Sequence, residues 1–162
     1  METKVANLLN PEHLKEEQIQ AMHESFKTAA PYPHIVIEDF LEADFAKELA
    51  AQFPSKEDFS IHWDGYNEKK SEGSNWDKFN PAFKQLRDMI DSPEFYAWMT
   101  KVTGIKDVFI TPDNMGAGLH QGERGSFLDI HVDFNMNTKY DCYRRLNMLI
   151  YMNPDWGPDW GG

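Results

Sequence analysis

The sequence predicts an α+β fold in which an antiparallel sheet or barrel is backed by helices. Two observations carry this. Segments with apolar residues at helical spacing dominate the chain up to Gly104. After Gly104 come consecutive segments that alternate polar and apolar residues with period two. The two kinds do not interleave as a βαβ fold requires.

Bulk properties bound the function. The chain has 162 residues, of which 41% are hydrophobic and 14% aromatic, enough for one domain with a real core. A net charge of −11 argues against nucleic acid and anionic membrane as partners, since both need clustered Lys and Arg. The single cysteine, Cys142, excludes an intrachain disulfide and suits a reducing, cytoplasmic setting. It reads as an ordinary half-buried thiol. No apolar run approaches the length of a membrane span, and "METKVANLLNPEH" lacks a signal peptide's long apolar segment.

The first helix is expected in "NPEHLKEEQIQAMHESFKTA". Asn10 can cap, Pro11 suits the first position, and Ile19, Met22 and Phe26 form its apolar stripe. His13 and His23 read as solvated surface histidines. In "APYPHIVIEDFL" two prolines end the helix and His34 to Ile37 reads as a strand. "EADFAKELAAQF" follows as a second helix, with Phe45, Leu49 and Phe53 on one face. Residues 54–79 have many turn formers and little periodicity. They read as a long irregular loop whose Trp63, Tyr66 and Trp76 either line an entrance or anchor the loop. "NPAFKQLRDMI" and "SPEFYAWMTKVTG" are two further helices, each opened by a capping residue and Pro, and Gly104 closes the second. Strands are then expected in "DVFIT", "MGAGLHQ", "SFLDIHVDFN" and "RRLNMLIYMN", before a turn-rich "PDWGPDWGG".

The third of these strands carries the chemistry. Side chains on a strand alternate faces, so Asp129, His131 and Asp133 share one face while Leu128, Ile130 and Val132 share the other. In "RRLNMLIYMN", Arg145, Asn147, Leu149 and Tyr151 oppose Leu146, Met148, Ile150 and Met152. With helices covering the apolar faces, the polar faces look into a barrel. Polar groups there need partners, because bare burial costs roughly 2–7 kcal/mol each. His and Asp at i and i+2 can reach one ion from the same side. They make up two-thirds of the 2-His-1-carboxylate set that holds non-haem Fe(II). The HxD triplet alone is a common chance match, and its bland reading is a satisfied histidine beside a surface carboxylate.

The surroundings add weight. "PYPHIVIEDFL", then "GAGLHQGERGSFLDIHVDFN", then "RRLNMLIYMNPDWGPDWGG" resembles the Fe(II)/2-oxoglutarate-dependent dioxygenase superfamily, in particular its prolyl-hydroxylase-like branch. The resemblance runs from about residue 31 to the end. It implies a double-stranded β-helix, or jelly-roll, with N-terminal helices packed on one sheet. Residues 1–30 would be a helical N-terminal segment, and 31–162 the N-terminal portion of the oxygenase domain. By the same resemblance His131 and Asp133 are iron ligands and catalytic. Tyr151, Asn147 and His120 are the candidates near 2-oxoglutarate, and Arg145 is a strand-end cation rather than its anchor. Asp129 lies at the rim. The implied cofactors are Fe(II), 2-oxoglutarate and O2, with ascorbate as an optional reductant. The implied reaction hydroxylates a protein side chain or a small molecule and releases succinate and CO2. An aspartate at 133, where related halogenases carry a small residue, favours hydroxylation.

The family's third ligand is a later His, and its 2-oxoglutarate anchor is usually a later Arg. No His follows His131 and no Arg follows Arg145 here. The barrel is therefore expected to be incomplete and this chain alone to lack turnover. The alternative of a different class is a non-enzymatic jelly-roll or cupin-like binding module whose HxD is structural.

Overall fold

The computed structural model describes residues 4–160, and Gly161-Gly162 of the turn-rich end lie outside them. The fold is α+β with antiparallel sheets that do not close on themselves. Its helices are α1 (Lys4–Leu8), α2 (Glu16–Thr28), α3 (Ala43–Ala51), α4 (Pro81–Ile90) and α5 (Pro93–Thr103). The expected helices form, with two differences: α2 begins only at Glu16, without a side-chain cap at Lys15, and α3 ends at Ala51, before Phe53. Asn10 caps a 3-10 turn at Pro11–Leu14 that leads into α2. The Glu42 carboxylate accepts the N–H groups of Asp44 and Phe45 at the head of α3. Asn80 caps Ala82, and Ser92 caps Phe95. Gly104 ends α5 at φ 73°, a left-handed conformation that costs glycine nothing.

Helices supply almost the whole core. Ile19 and Met22 of α2 join Leu49 of α3, Phe83 and Met89 of α4, and Phe95 and Val102 of α5 in one cluster with Val5 and Leu9. The N-terminal segment thus shares its core with the rest of the chain. His13 and His23 are tied down rather than simply solvated. His23 Nδ1 meets the Val102 carbonyl at 3.2 Å, and His13 Nε2 meets the Glu38 carbonyl at 3.0 Å.

The strands depart more from expectation. Residues 54–79 are not an irregular loop, because they hold the hairpin β1 (Ile61–Asp64) and β2 (Glu68–Gly73). Its alternation is one of charge, which an apolar-periodicity reading misses. Lys70 sits between Glu68 and Glu72 at 3.0 and 3.2 Å on one face, while Ser71 and Gly73 are buried on the other. The other edge of β2 pairs with β3 (Leu119–Gln121) and then β4 (Phe127–Leu128), with residues 122–126 bulging out between them. A separate two-stranded hairpin joins β5 (Met136–Asn137) to β6 (Cys142–Tyr143).

Three expected strands form no ladder among the described residues. At 34–37 the chain is extended, and Ile35 and Ile37 pack on the core while Val36 is exposed. At 107–111 a backbone donor goes to a side chain instead: Ile110 N–H bonds the Tyr96 hydroxyl at 3.0 Å. That hydroxyl also donates to Asp91, and burial with the Asp91 bond pushes its pKa up to about 12. Arg87 clamps the same loop through two bonds to Asn114 Oδ1, at 3.1 and 2.7 Å. Residues 144–153 keep strand alternation without a partner. Leu146, Ile150 and Met152 are half-buried, and Arg145, Asn147, Leu149 and Tyr151 face outward. Among the described residues no helix is long and apolar enough to cross a membrane.

Candidate metal centre

The stretch 126–135 is a shorter strand than its pattern suggests, and the hairpin explains why. β4 pairs with the start of β2, and Asp129 N–H donates to the Asn67 carbonyl at 2.8 Å as the last rung. Beyond Asn67 the partner chain turns back toward β1, so residues 130–134 have no strand left to bond. The expected cover on the apolar face is also missing. Leu128, Ile130 and Val132 are exposed, the last two almost fully.

The polar side nevertheless converges. The His131 ring meets the Asp129 carbonyl through Nδ1 at 2.8 Å. A carbonyl only accepts, so Nδ1 carries a proton, which in a neutral ring would leave the lone pair on Nε2. Nε2 lies 3.5 Å from Asp133 Oδ1, with both side chains about half exposed. Such a contact takes either a proton on Nε2, making an imidazolium–carboxylate pair, or, with the ring neutral, a cation between the two atoms. Adjacent ligands of an octahedral dication with bonds of about 2.1 Å are roughly 3 Å apart, so a small rotation would bring the pair into range. The donors are imidazole and carboxylate, the mixture used for non-haem iron. Asp129 contributes its carbonyl to this arrangement, which fixes the tautomer of its neighbour, as outer-shell partners of metal-binding histidines do.

The pair fits two positions of such a site. Among the described residues no group of three or more His, Cys, Asp or Glu stands close enough to hold a metal ion. Asp133 has a further partner that the sequence reading passed over. Arg144 Nη2 lies 3.1 Å from its Oδ2. The signal for Arg144 was hairpin register, hidden because β5 and β6 are two residues each. Met136 pairs with Tyr143 and Asn137 with Cys142, so Asn135 comes opposite Arg144, whose N–H donates to the Asn135 carbonyl at 2.8 Å.

The three candidates for 2-oxoglutarate contact lie apart from one another along one groove of about 500 Å³, between the α4–α5 layer and residues 144–153. Asn147 Oδ1 accepts from Arg144 Nη2 at 3.1 Å, which links it to the His131–Asp133 pair. Tyr151 is exposed on the outer face. His120 stands on β3 opposite Glu72, its Nδ1 3.5 Å from the carboxylate. Phe134 and Arg144 also line the groove, so it abuts the pair without including it.

His120 has a pH consequence. Burial, aided by the Lys70 charge and opposed by Glu72, pushes its pKa below the ordinary histidine range. The unfolded chain therefore binds more protons than the folded one as pH falls from about 6.5 toward that lower value. Stability is expected to drop with acidification through this window. Urea unfolding at pH 7 and about pH 5.5 checks it: His120→Asn is expected to shrink the pH-dependent change in midpoint, and an undiminished change would refute the assignment.

Compared with models of known protein families and with curated proteins, the chain matches none.

Proposed function

We propose that this chain forms the iron-binding part of a Fe(II)- and 2-oxoglutarate-dependent oxygenase built on a double-stranded β-helix. Its reaction hydroxylates an unactivated C–H of a protein side chain or a small molecule. The observation that carries the reading is the pair itself: Nε2 of His131 faces Asp133 Oδ1 at 3.5 Å while Nδ1 donates to the Asp129 carbonyl. His131 and Asp133 would hold the iron. When bound, iron with 2-oxoglutarate and O2 supplies the oxidising power, with succinate and CO2 as by-products. The chain's own contribution is orientation. Asp129 holds the imidazole, Arg144 pairs with the carboxylate and is itself held by Asn147, and the adjacent groove offers a largely apolar wall for substrate or co-substrate. Its outer rim presents Tyr151, and His120 lines it from β3.

One observation favours a second reading. The Arg144 guanidinium, 3.1 Å from Oδ2, already gives Asp133 a counter-charge without a metal, as it would in a binding module whose HxD is structural. Anaerobic titration with Mn(II), followed by the loss of the free-ion electron paramagnetic resonance signal, separates the two. The oxygenase reading expects saturable binding that Fe(II) competes away and 2-oxoglutarate strengthens. A free-ion signal undiminished by protein overturns it in favour of the structural reading.

A further inference from the structure

We propose that the groove between the α4–α5 layer and residues 144–153 is a binding site for an amphipathic carboxylate, a molecule with an apolar body and one anionic end. The proposal goes beyond the oxygenase reading, because the binding needs neither a metal nor His131 and Asp133; where that reading holds, it names the substrate class. The groove holds about 500 Å³, within the usual range of about 300–1,000 Å³ for small-molecule sites. Its floor is apolar: Leu86 and Ile90 of α4, Phe95 and Met99 of α5, and Ile150 and Met152 from the opposite wall line it. The charge along it reverses that of the chain. Acidic residues outnumber basic ones 27 to 16 in the whole sequence. In the groove lining, Lys106, Arg144 and Arg145 stand against a single carboxylate, Asp107. Arg144 has Asp133 as its counter-charge at 3.1 Å. Lys106 and Arg145 are exposed and have no partner among the described residues. An apolar floor under a cationic rim disfavours a cation. 2-Oxoglutarate, polar at both ends, would leave most of the floor in contact with water. The match is a carboxylate whose hydrocarbon part displaces water from the floor while both its oxygens meet the planar fork of Arg145. Walls of one sign and low dielectric also focus the field and favour entry of the anion.

Isothermal titration calorimetry of the chain with EDTA present tests this, using butanoate, hexanoate, octanoate and decanoate as probes below their micellar concentrations. Saturable binding is expected, with affinity rising about fourfold per added CH2 until the groove is filled, the equivalent of about 0.8 kcal/mol per buried CH2. Decyltrimethylammonium, with the same chain and the opposite charge, should bind about tenfold more weakly than decanoate or worse. Arg145→Gln should weaken decanoate binding about tenfold, the loss of a charge-assisted bond, and Lys106→Gln should weaken it less. Both positions are exposed, so neither variant puts folding at risk. Arg124→Gln removes an exposed cation that does not line the groove and should leave the affinity unchanged. An affinity independent of chain length, equal binding of decyltrimethylammonium, or an unchanged affinity in Arg145→Gln overturns the proposal. Saturable decanoate binding by a chain that binds no Mn(II) keeps the proposal and overturns the oxygenase reading. Mn(II) binding without decanoate binding does the reverse.

Discussion

Phe83→Ala is expected to lower the unfolding free energy by about 3–5 kcal/mol, the range for deleting a buried aromatic ring. Phe83 lies on α4 with none of its surface exposed. Its ring meets Phe53 edge-on at 5.8 Å and Phe79 at 6.5 Å. Phe59 then stands 5.7 Å from Phe79 and 6.3 Å from Phe53, closing an aromatic ring of four side chains. Three elements meet at this point: the end of α3, the turns around the first hairpin, and α4. Removing the ring forfeits its transfer energy and leaves a void that Phe53 and Phe79 cannot both fill. A domain's total stability is about 5–15 kcal/mol, so this is a large share. Urea unfolding followed by far-UV circular dichroism checks it. Tyr66→Ala serves as the control: Tyr66 is 98% exposed at the hairpin tip, and its loss should stay within about 0.5 kcal/mol. A Phe83→Ala cost below about 1 kcal/mol would show that the helical core is not packed as described.

The same aromatic cluster shows why the helical half was legible. Phe45 and Leu49, Phe83 and Leu86, Phe95 and Trp98 repeat at helical spacing between explicit caps, and burial follows the stripe. Local chemistry sufficed because each helix satisfies its own backbone. A strand borrows its partners from elsewhere in the chain. "DVFIT" alternates as a strand does, but Tyr96 on α5 takes the Ile110 donor and no ladder forms. "EKKSEG" has no apolar alternation, yet it is the central strand of the larger sheet, held by cross-strand bonds and by Lys70 between two glutamates. The HxD side chains were legible as a pair because i and i+2 on an extended chain face the same way, with or without a ladder. Arg144 was not legible, because its approach to Asp133 depends on a hairpin register set by two residues per strand. The apolar side of the same stretch was misread for a related reason. Its alternation says that Leu128, Ile130 and Val132 point together, and says nothing of what they point at.

His131→Ala and Asp133→Ala are each expected to abolish saturable Mn(II) binding by the folded chain. Both side chains are about half exposed, so neither truncation opens a cavity. Removing His131 leaves Asp133 paired with Arg144. Removing Asp133 leaves Arg144 bonded to Asn147 and stacked on Phe134. Removing His131 strands no charge and should move the urea midpoint little, whereas removing Asp133 leaves the Arg144 guanidinium, only 20% exposed, without its counter-charge and is expected to cost some stability. Metal binding is different, because a site with two donors becomes a site with one. The informative contrast is Asp129→Ala. Asp129 shares the same side of the chain and the same charge, so a diffuse acidic patch would lose binding equally at all three positions. Its part in the site is its backbone carbonyl, which accepts from His131 Nδ1 and survives the substitution. Asp129→Ala is therefore expected to keep the affinity within a few-fold of wild type, whereas Asp133→Ala loses it. Equal losses at 129 and 133 would reduce the pair to a general attraction between a dication and a chain of net charge −11. Unchanged binding in His131→Ala would remove the imidazole, and with it the iron assignment.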